Sequence, residues 1–366
     1  MTSTAGPHGL TSPVLQTRAT RLFGVRHPLV QTGMGFVSDA GLTAATSAAG
    51  GLGILSSGLL SFDELARAID DVRARTDAPF GVNVRADQPD VEQRIELMAR
   101  TGVKVASFAL APRQPLIERC KELGLVVVPS IGARRHAEKV AAWGADALIV
   151  QGGEGGGHTG AVPTTLLLPQ VVDAVDIPVI AAGGFFDGRG LVAALAYGAE
   201  GIAMGTRFLL TKESPVAQRV KDVYLTKSVN DTVVTREVDG VPQRVLNTGP
   251  VAQLERSNPA TRLVRAARNA VAFQRMSGTP WPDIVREGLA MRRNHGLGWS
   301  QVVMAANAPM LYRTALLDGD PETGVMATGQ VVGLIDDLPS VAELLERIAD
   351  EAAQTLTSLE QRTDRD

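Results

Sequence analysis

The sequence predicts an α/β fold, a (β/α)8 or TIM barrel, with a small helical C-terminal subdomain inserted over the barrel. Three observations predict it. Eight short, almost wholly apolar segments lie between residues 28 and 205. Stretches with helical spacing separate most of them, so strands and helices alternate along the chain. No G-x-G-x-x-G fingerprint follows the first apolar segment, as a doubly wound dinucleotide fold would require.

The predicted strands are continuous apolar runs, which is typical of parallel sheets buried on both faces. Eight of them suit a closed barrel better than an open sheet. They cover residues 28–31, 52–55, 80–84, 103–107, 126–129, 147–150, 178–181 and 201–204. The clearest helical stretches between them cover residues 62–74, 91–101, 134–144 and 191–198.

The alternation ends near residue 207, which divides the chain into four predicted parts. Residues 1–20 form a flexible tail and residues 21–213 form the barrel. Residues 214–310 add a helix, two strands around a turn at Asp239-Gly240, and a helical subdomain. Residues 311–366 return to the barrel and end in an amphipathic helix at 340–359.

Composition excludes several function classes. The 366 residues carry a formal net charge of −3 without long runs of one sign, so neither a nucleic acid nor a membrane surface is expected as a partner. The first 13 residues lack the apolar stretch of a signal peptide. The single cysteine, Cys120, is expected in a helix as a buried apolar residue. The sequence thus predicts a cytoplasmic, globular protein.

The most informative motif is the loop from Gln151 to Gly160, which follows the sixth predicted strand and contains six glycines. So many glycines cost chain entropy, and they suit a backbone that approaches a flat ligand closely. His158 near the end of this loop is a candidate acid or base. The alternative is a histidine that only caps a turn, and Glu154 is then the next candidate base.

Active sites of such barrels lie at the carboxyl ends of the strands. Ala182-Gly183-Gly184 and Gly205-Thr206 end the seventh and eighth strands, and glycine-rich strand ends of this kind bind phosphate. Asn83 ends the third strand, either as a ligand contact or as a hydrogen-bonded core residue. No metal-binding motif is present, and most of the other four histidines are expected at the surface.

These motifs together resemble the nitronate monooxygenase-like flavoproteins, which are similar to the flavin-dependent enoyl-acyl-carrier-protein reductases. The resemblance covers roughly residues 20–350. It depends on residues 31–34, 50–53, 80–83, 154–160, 182–190, 204–208, 231–247, 329–330 and 335–337. Over almost the whole length, the chain is most similar to an actinobacterial branch linked to steroid catabolism.

The resemblance implies that the barrel binds FMN and that His158 is the catalytic residue. It implies that Gly33, Met34 and Asn83 contact the ring system, and that the ring is lined by Gln151, Gly156 and Gly157. Phosphate contacts are implied for Gly183, Gly184, Gly205 and Thr206, and Ser130 and Ala182 are further expected cofactor contacts. Ser130 stands where many nitronate-oxidising members carry a lysine, which argues against an anionic nitronate as the natural substrate.

For this branch the resemblance implies dehydrogenation of a bicyclic hydroxy-oxo-hydrindane carboxyl-CoA thioester, with NAD(H) as co-substrate. The alternatives are an NAD(P)H-dependent reductase of enoyl thioesters or quinones, a nitronate monooxygenase, and a barrel that only stores or senses FMN. Contacts to CoA are expected from Arg244, Arg292 and Arg293. A homo-oligomer is compatible with the sequence.

Overall fold

A computed structural model of the chain describes residues 13–109, 112–257, 264, 267–272, 274–275, 280–295 and 307–363. It confirms the predicted barrel, because eight parallel strands close into a ring. The strands of the described residues are β1 (Leu29–Gln31), β2 (Leu52–Ser56), β3 (Gly81–Val84), β4 (Val105–Phe108), β5 (Val126–Ile131), β6 (Leu148–Gln151), β7 (Gly157–His158), β8 (Val179–Ala182), β9 (Gly201–Met204), β10 (Thr232–Thr235) and β11 (Gln243–Leu246). The barrel contains β1 to β6, β8 and β9, in that order.

Helices follow most barrel strands, as the spacing predicts. The first ten are α1 (Arg18–Phe23), α2 (Ala40–Ala48), α3 (Phe62–Arg75), α4 (Val91–Arg100), α5 (Gln114–Glu122), α6 (Arg134–Ala142), α7 (Thr164–Val172), α8 (Gly188–Ala196), α9 (Thr206–Leu209) and α10 (Gln218–Leu225). The later ones are α11 (Gly249–Arg256), α12 (Trp281–His295), α13 (Asn307–Leu316) and α14 (Val341–Thr363). Two short 3-10 turns cover Pro13–Leu15 and Gln330–Leu334.

The barrel has two apolar layers, because alternate strand residues point to opposite faces. Residues such as Ile54, Val105 and Ile180 form one buried cluster inside the barrel. Ala19 and Phe23 of α1 join this cluster, so α1 closes the amino end of the barrel. Their strand neighbours belong to a larger cluster shared with the surrounding helices.

The region after the barrel contains a small sheet that the sequence only partly predicts. The predicted strands near residues 232 and 243 are confirmed as β10 and β11, which pair antiparallel. The third strand, β7, comes from the glycine-rich loop and pairs antiparallel with β11. This pairing places His158 directly opposite Gln243 and fixes the loop over the barrel mouth.

The predicted C-terminal helix is confirmed as α14, which packs against α8 and α2. The predicted burial of Cys120 on α5 is also confirmed, and burial raises the pKa of its thiol to about 12, with a smaller effect from the charge of Asp146. His27 differs from the surface position expected for most of the histidines, since it is 1% exposed. Among the residues described, no helix is both long and apolar enough to cross a membrane.

Candidate active site

A cavity of about 410 Å³ opens at the carboxyl ends of the barrel strands, within the range of ~300–1,000 Å³ typical of ligand sites. Its wall combines the strand ends, the glycine-rich loop and helix α13. All predicted cofactor contacts line it: Gly33, Met34, Asn83, Ser130, Gln151, Gly156, Gly157, Ala182, Gly183, Gly184, Gly205 and Thr206.

The loop after β1 is held in place by two buried polar side chains. The amide of Gln31 donates to Ser38 Oγ at 2.7 Å and to the carbonyl of Ile54 at 3.2 Å. Ser38 Oγ in turn accepts from the backbone N–H of Met34 at 2.8 Å. Phe36 in the same loop has a φ of +62°, which is strained for a bulky residue. These contacts hold the loop in the conformation that lines the cavity.

Neutral polar side chains follow one another along the cavity wall on strands β3 to β6. Asn83 donates to Ser107 Oγ at 3.2 Å, and these residues face each other across β3 and β4. Ser130 on β5 and Gln151 on β6 continue the row. Gly33 packs against Asn83 so closely that a Cβ at position 33 would lie 2.4 Å from Asn83 Cβ. Glycine is thus required there.

The ends of β8 and β9 present backbone rather than side chains to the cavity. Gly183 and Gly184 have φ values of +97° and +85°, a region that favours glycine. Gly205 leaves little spare room, since a Cβ there would lie 3.3 Å from Met34 Sδ. Thr206 begins α9, and its hydroxyl accepts from the backbone N–H of Gly329 at 2.9 Å.

The glycine-rich loop is held by side chains that the sequence suggested for other tasks. Glu154 accepts from the backbone N–H and the hydroxyl of Thr164, the latter at 2.7 Å, so it anchors the start of α7. Arg244 donates to the carbonyl of Gly153 at 2.9 Å and to Thr232 Oγ1 at 2.9 Å. Both charged groups therefore stabilise the loop conformation.

His158 lies on the cavity wall with a charged partner behind it. Its Nε2 is 2.8 Å from Asp239 Oδ2, and the side chains are 58% and 9% exposed respectively. Burial raises the pKa of Asp239, but the hydrogen bond and charge of His158, the Gln243 side chain and the Val241 N–H together hold that pKa below its ordinary value. Asp239 is therefore a buried carboxylate that stays ionised.

Two further residues extend this arrangement. The hydroxyl of Tyr312 on α13 donates to Gln243 Oε1 on β11, and both residues line the cavity. Burial, with a smaller effect from the charge of Asp239, raises the pKa of Tyr312 well above its ordinary value, so the phenol stays neutral. The Gln243 amide nitrogen is buried and has no partner at full hydrogen-bond geometry among the described residues.

The predicted CoA contacts lie in different surroundings. The guanidinium of Arg244 is part-buried at the loop, and burial lowers its pKa. Arg292 is exposed on α12, outside the cavity wall. The side chain of Arg293 lies outside the described residues, as do residues 1–12 of the predicted tail and parts of the predicted helical subdomain.

Sequence reasoning missed Asp239, Gln243 and Tyr312 as site residues. Asp239 is 81 positions from His158, and the Asp-Gly pair there is equally typical of an ordinary turn. The available signal was the predicted strand pair around it, which had to pack somewhere near the barrel mouth. Among the residues described, no group of three or more His, Cys, Asp or Glu side chains has the arrangement of a metal site.

Comparison with known proteins places this geometry in a family. Residues 16–94 and 90–351 match the sequence profile of the family described as nitronate monooxygenase. Two relatives are each named (3aS,4S,5R,7aS)-5-hydroxy-7a-methyl-1-oxo-octahydro-1H-indene-4-carboxyl-CoA dehydrogenase. The one from Rhodococcus jostii is 57% identical over 94% of this chain and 98% of its own. The one from Mycobacterium tuberculosis is 61% identical over 91% and 95%.

A solved structure agrees with the barrel and with its additions. The structure of FabK from Thermotoga maritima superposes with a TM-score of 0.79 at 34% identity, and it covers 95% of this chain and 99% of its own. The similarity therefore extends beyond the eight strands to the region that carries α13 and α14.

Proposed function

The chain belongs to the nitronate monooxygenase family of oxidoreductases, and we propose that it is an FMN-dependent acyl-CoA dehydrogenase. The proposed substrate is a bicyclic hydrindane carboxyl-CoA thioester, the compound class in the names of the two relatives that match nearly the full length. The proposed reaction removes a proton from the α-carbon and a hydride from the β-carbon, which leaves an α,β-double bond.

The observation that carries the proposal is the isolation of His158. It is the only imidazole, carboxylate, ammonium or guanidinium group among the described residues that line the cavity. A carbon acid next to a thioester needs one base within hydrogen-bond reach, and a positioned histidine contributes ~10²–10⁴-fold. The imidazole, with the buried Asp239 carboxylate 2.8 Å from its Nε2, meets that requirement.

The chemistry of the cavity walls supports FMN as the cofactor. Glycine backbone with positive φ at Gly183 and Gly184, beside Gly205, suits one phosphate, and the row from Asn83 to Gln151 supplies neutral polar groups for a ring edge. When bound, FMN supplies the acceptor for the hydride from the β-carbon, and NAD⁺ takes the electrons away. The residues of the chain bind the ring and the phosphate, and they move the proton.

The walls also bear on the alternatives. No lysine or arginine is among the described residues that line the cavity, and Ser130 is a neutral member of the wall. A nitronate is an anion, and its burial without a positive partner is unfavourable. This favours a neutral carbon acid over a nitronate. A reductase of enoyl thioesters would use the same groups in the opposite direction.

The test separates the two half-reactions by stopped-flow absorbance of the flavin. His158→Ala should retain FMN and its reduction by NADH, because hydride transfer from the nucleotide needs no base. Reduction by the hydrindane carboxyl-CoA thioester should slow by at least ~10²-fold. His136→Ala removes an exposed histidine on α6 and serves as the matched control.

The outcomes discriminate between the candidates. Equal slowing of both half-reactions in His158→Ala would contradict the role of His158. The reductase would be favoured if NADH reduces the flavin, an enoyl thioester reoxidises it, and the saturated thioester does not reduce it.

A further inference from the structure

We infer that Asp239 is a positioning residue that keeps the proton of His158 on Nε2, so that Nδ1 is the atom that exchanges the substrate proton. The inference rests on the proposed role of His158 and adds to it the identity of the reacting nitrogen. Neither the similarity to other proteins nor the motif around His158 specifies that nitrogen.

The contact between His158 and Asp239 determines which ring nitrogen carries the proton. An ionised carboxylate only accepts hydrogen bonds, so the nitrogen 2.8 Å from Asp239 Oδ2 has to carry the proton. That nitrogen is His158 Nε2. In a neutral imidazole one nitrogen is protonated and the other has a free lone pair. A proton on Nε2 therefore leaves the lone pair on Nδ1.

The Asp239 carboxylate has a fixed orientation. The backbone N–H of Val241 donates to Asp239 Oδ1 at 3.0 Å, while Oδ2 accepts from Nε2 of His158. The two oxygens thus have separate partners, and the carboxylate plane is fixed by the main chain of the β10–β11 connection. The pairing of Gln243 with His158 across β11 and β7 fixes the histidine backbone from the other side.

Nδ1 of His158 is available for proton exchange with a substrate. No described residue donates to or accepts from His158 Nδ1, and the side chain is more than half exposed at the cavity. The other charged groups of the neighbourhood are engaged elsewhere, because Arg244 binds the Gly153 carbonyl and Glu154 binds Thr164. Asp239 is the charged group in contact with the ring.

The direct test is the tautomer of His158, measured by ¹⁵N NMR of the histidine rings in the full-length protein at alkaline pH, where imidazoles are neutral. The protonated and unprotonated ring nitrogens give distinct ¹⁵N signals, and loss of one ring pattern in His158→Gln assigns it among the five histidines. We expect protonation at Nε2. Protonation at Nδ1 in the parent protein would overturn the inference, whatever any variant does.

Asp239→Asn is the informative substitution, because Oδ1 should stay on the Val241 N–H. The amide NH₂ then faces His158 Nε2, which has to become an acceptor, and the ring proton moves to Nδ1. We expect the NMR pattern to reverse and flavin reduction by the CoA thioester to slow by at least ~10²-fold. Reduction by NADH and KM for the thioester should change little. Asp222→Asn, an exposed aspartate on α10 away from the cavity wall, is the matched control.

Different results would contradict the proposed function and the role of Asp239. If the thioester does not reduce the flavin of the parent protein, the proposed function fails, while the NMR result still reports the tautomer. If His158→Gln abolishes thioester oxidation and Asp239→Asn retains both the rate and Nε2 protonation, the proposed function stands and the inference about Asp239 is wrong.

Discussion

A buried histidine at the amino end of β1 predicts how stability depends on pH. His27 is 1% exposed, and neither ring nitrogen has a hydrogen-bond partner among the described residues. Burial, and next the charge of Arg26, lower its pKa from 6.5 to about 4, although Glu346 and Asp350 act in the opposite direction. Between pH 6.5 and about pH 4 the unfolded chain therefore binds a proton that the native protein largely does not. Such a group makes stability fall as pH falls.

The magnitude follows from the two pKa values. At pH 7.5 the histidine is neutral in both states and contributes almost nothing. At pH 5.0 it is charged in nearly all unfolded molecules and in few native ones, which lowers the free energy of unfolding by about 2 kcal/mol. Leucine has a similar volume and no polar atom, so His27→Leu should remove this loss. It should also remove the unpartnered ring nitrogens, which cost free energy when buried.

The assay is urea unfolding followed by circular dichroism at pH 7.5 and 5.0. The parent protein should lose about 2 kcal/mol more than His27→Leu across this interval. His136→Gln removes an exposed imidazole on α6 and controls for histidine loss in general. Parallel losses in the parent protein and in His27→Leu would refute the reasoning, because they would show that His27 takes up its proton in the native state as readily as in the unfolded chain.

Three further predictions concern the cavity and its surroundings. Gly205→Asp should abolish FMN retention, because its carboxylate repels the phosphate, whereas Gly205→Asn adds similar bulk without the charge and should retain more FMN. The cofactor released by denaturation should have the mass of FMN, and an FAD mass would contradict the single-phosphate site. Replacement of Arg292 and Arg293 by alanine should raise KM for the CoA thioester about tenfold and leave turnover of NADH with a small quinone unchanged; equal loss with both substrates would indicate misfolding. Nitroalkane anions should turn over slowly, and a kcat/KM of roughly 10⁵ M⁻¹s⁻¹ with them would favour a nitronate monooxygenase over the proposed dehydrogenase.

The barrel was predictable because its determinants are local. Each strand is a continuous apolar run, and runs such as 126–129 and 201–204 stand between segments of helical spacing. The position of the site then follows from the fold class, because parallel barrels have their active site at the carboxyl ends of the strands. For this reason the predicted ring and phosphate contacts all line one cavity.

The remainder depends on contacts between distant parts of the chain. No local pattern shows that Asp239 reaches His158, or that Tyr312 reaches Gln243. Glu154 has the right chemistry for a base, and only the position of Thr164 shows that its carboxylate is engaged. The burial of His27 is similar, because it depends on the packing of α14 and the turn at Gly50 around the start of β1.

The antiparallel pairing of β7 with β11 means that the cavity is built from two structural units, the barrel and the hairpin that follows it. The strand ends of the barrel line the cavity, while Asp239, which contacts His158, and Gln243, which pairs with it, belong to the hairpin added after the barrel. The barrel and the added hairpin can therefore change in sequence independently of each other. Substitutions in the β10–β11 hairpin can change the surroundings of His158 and leave the glycine-rich strand ends of the barrel as they are.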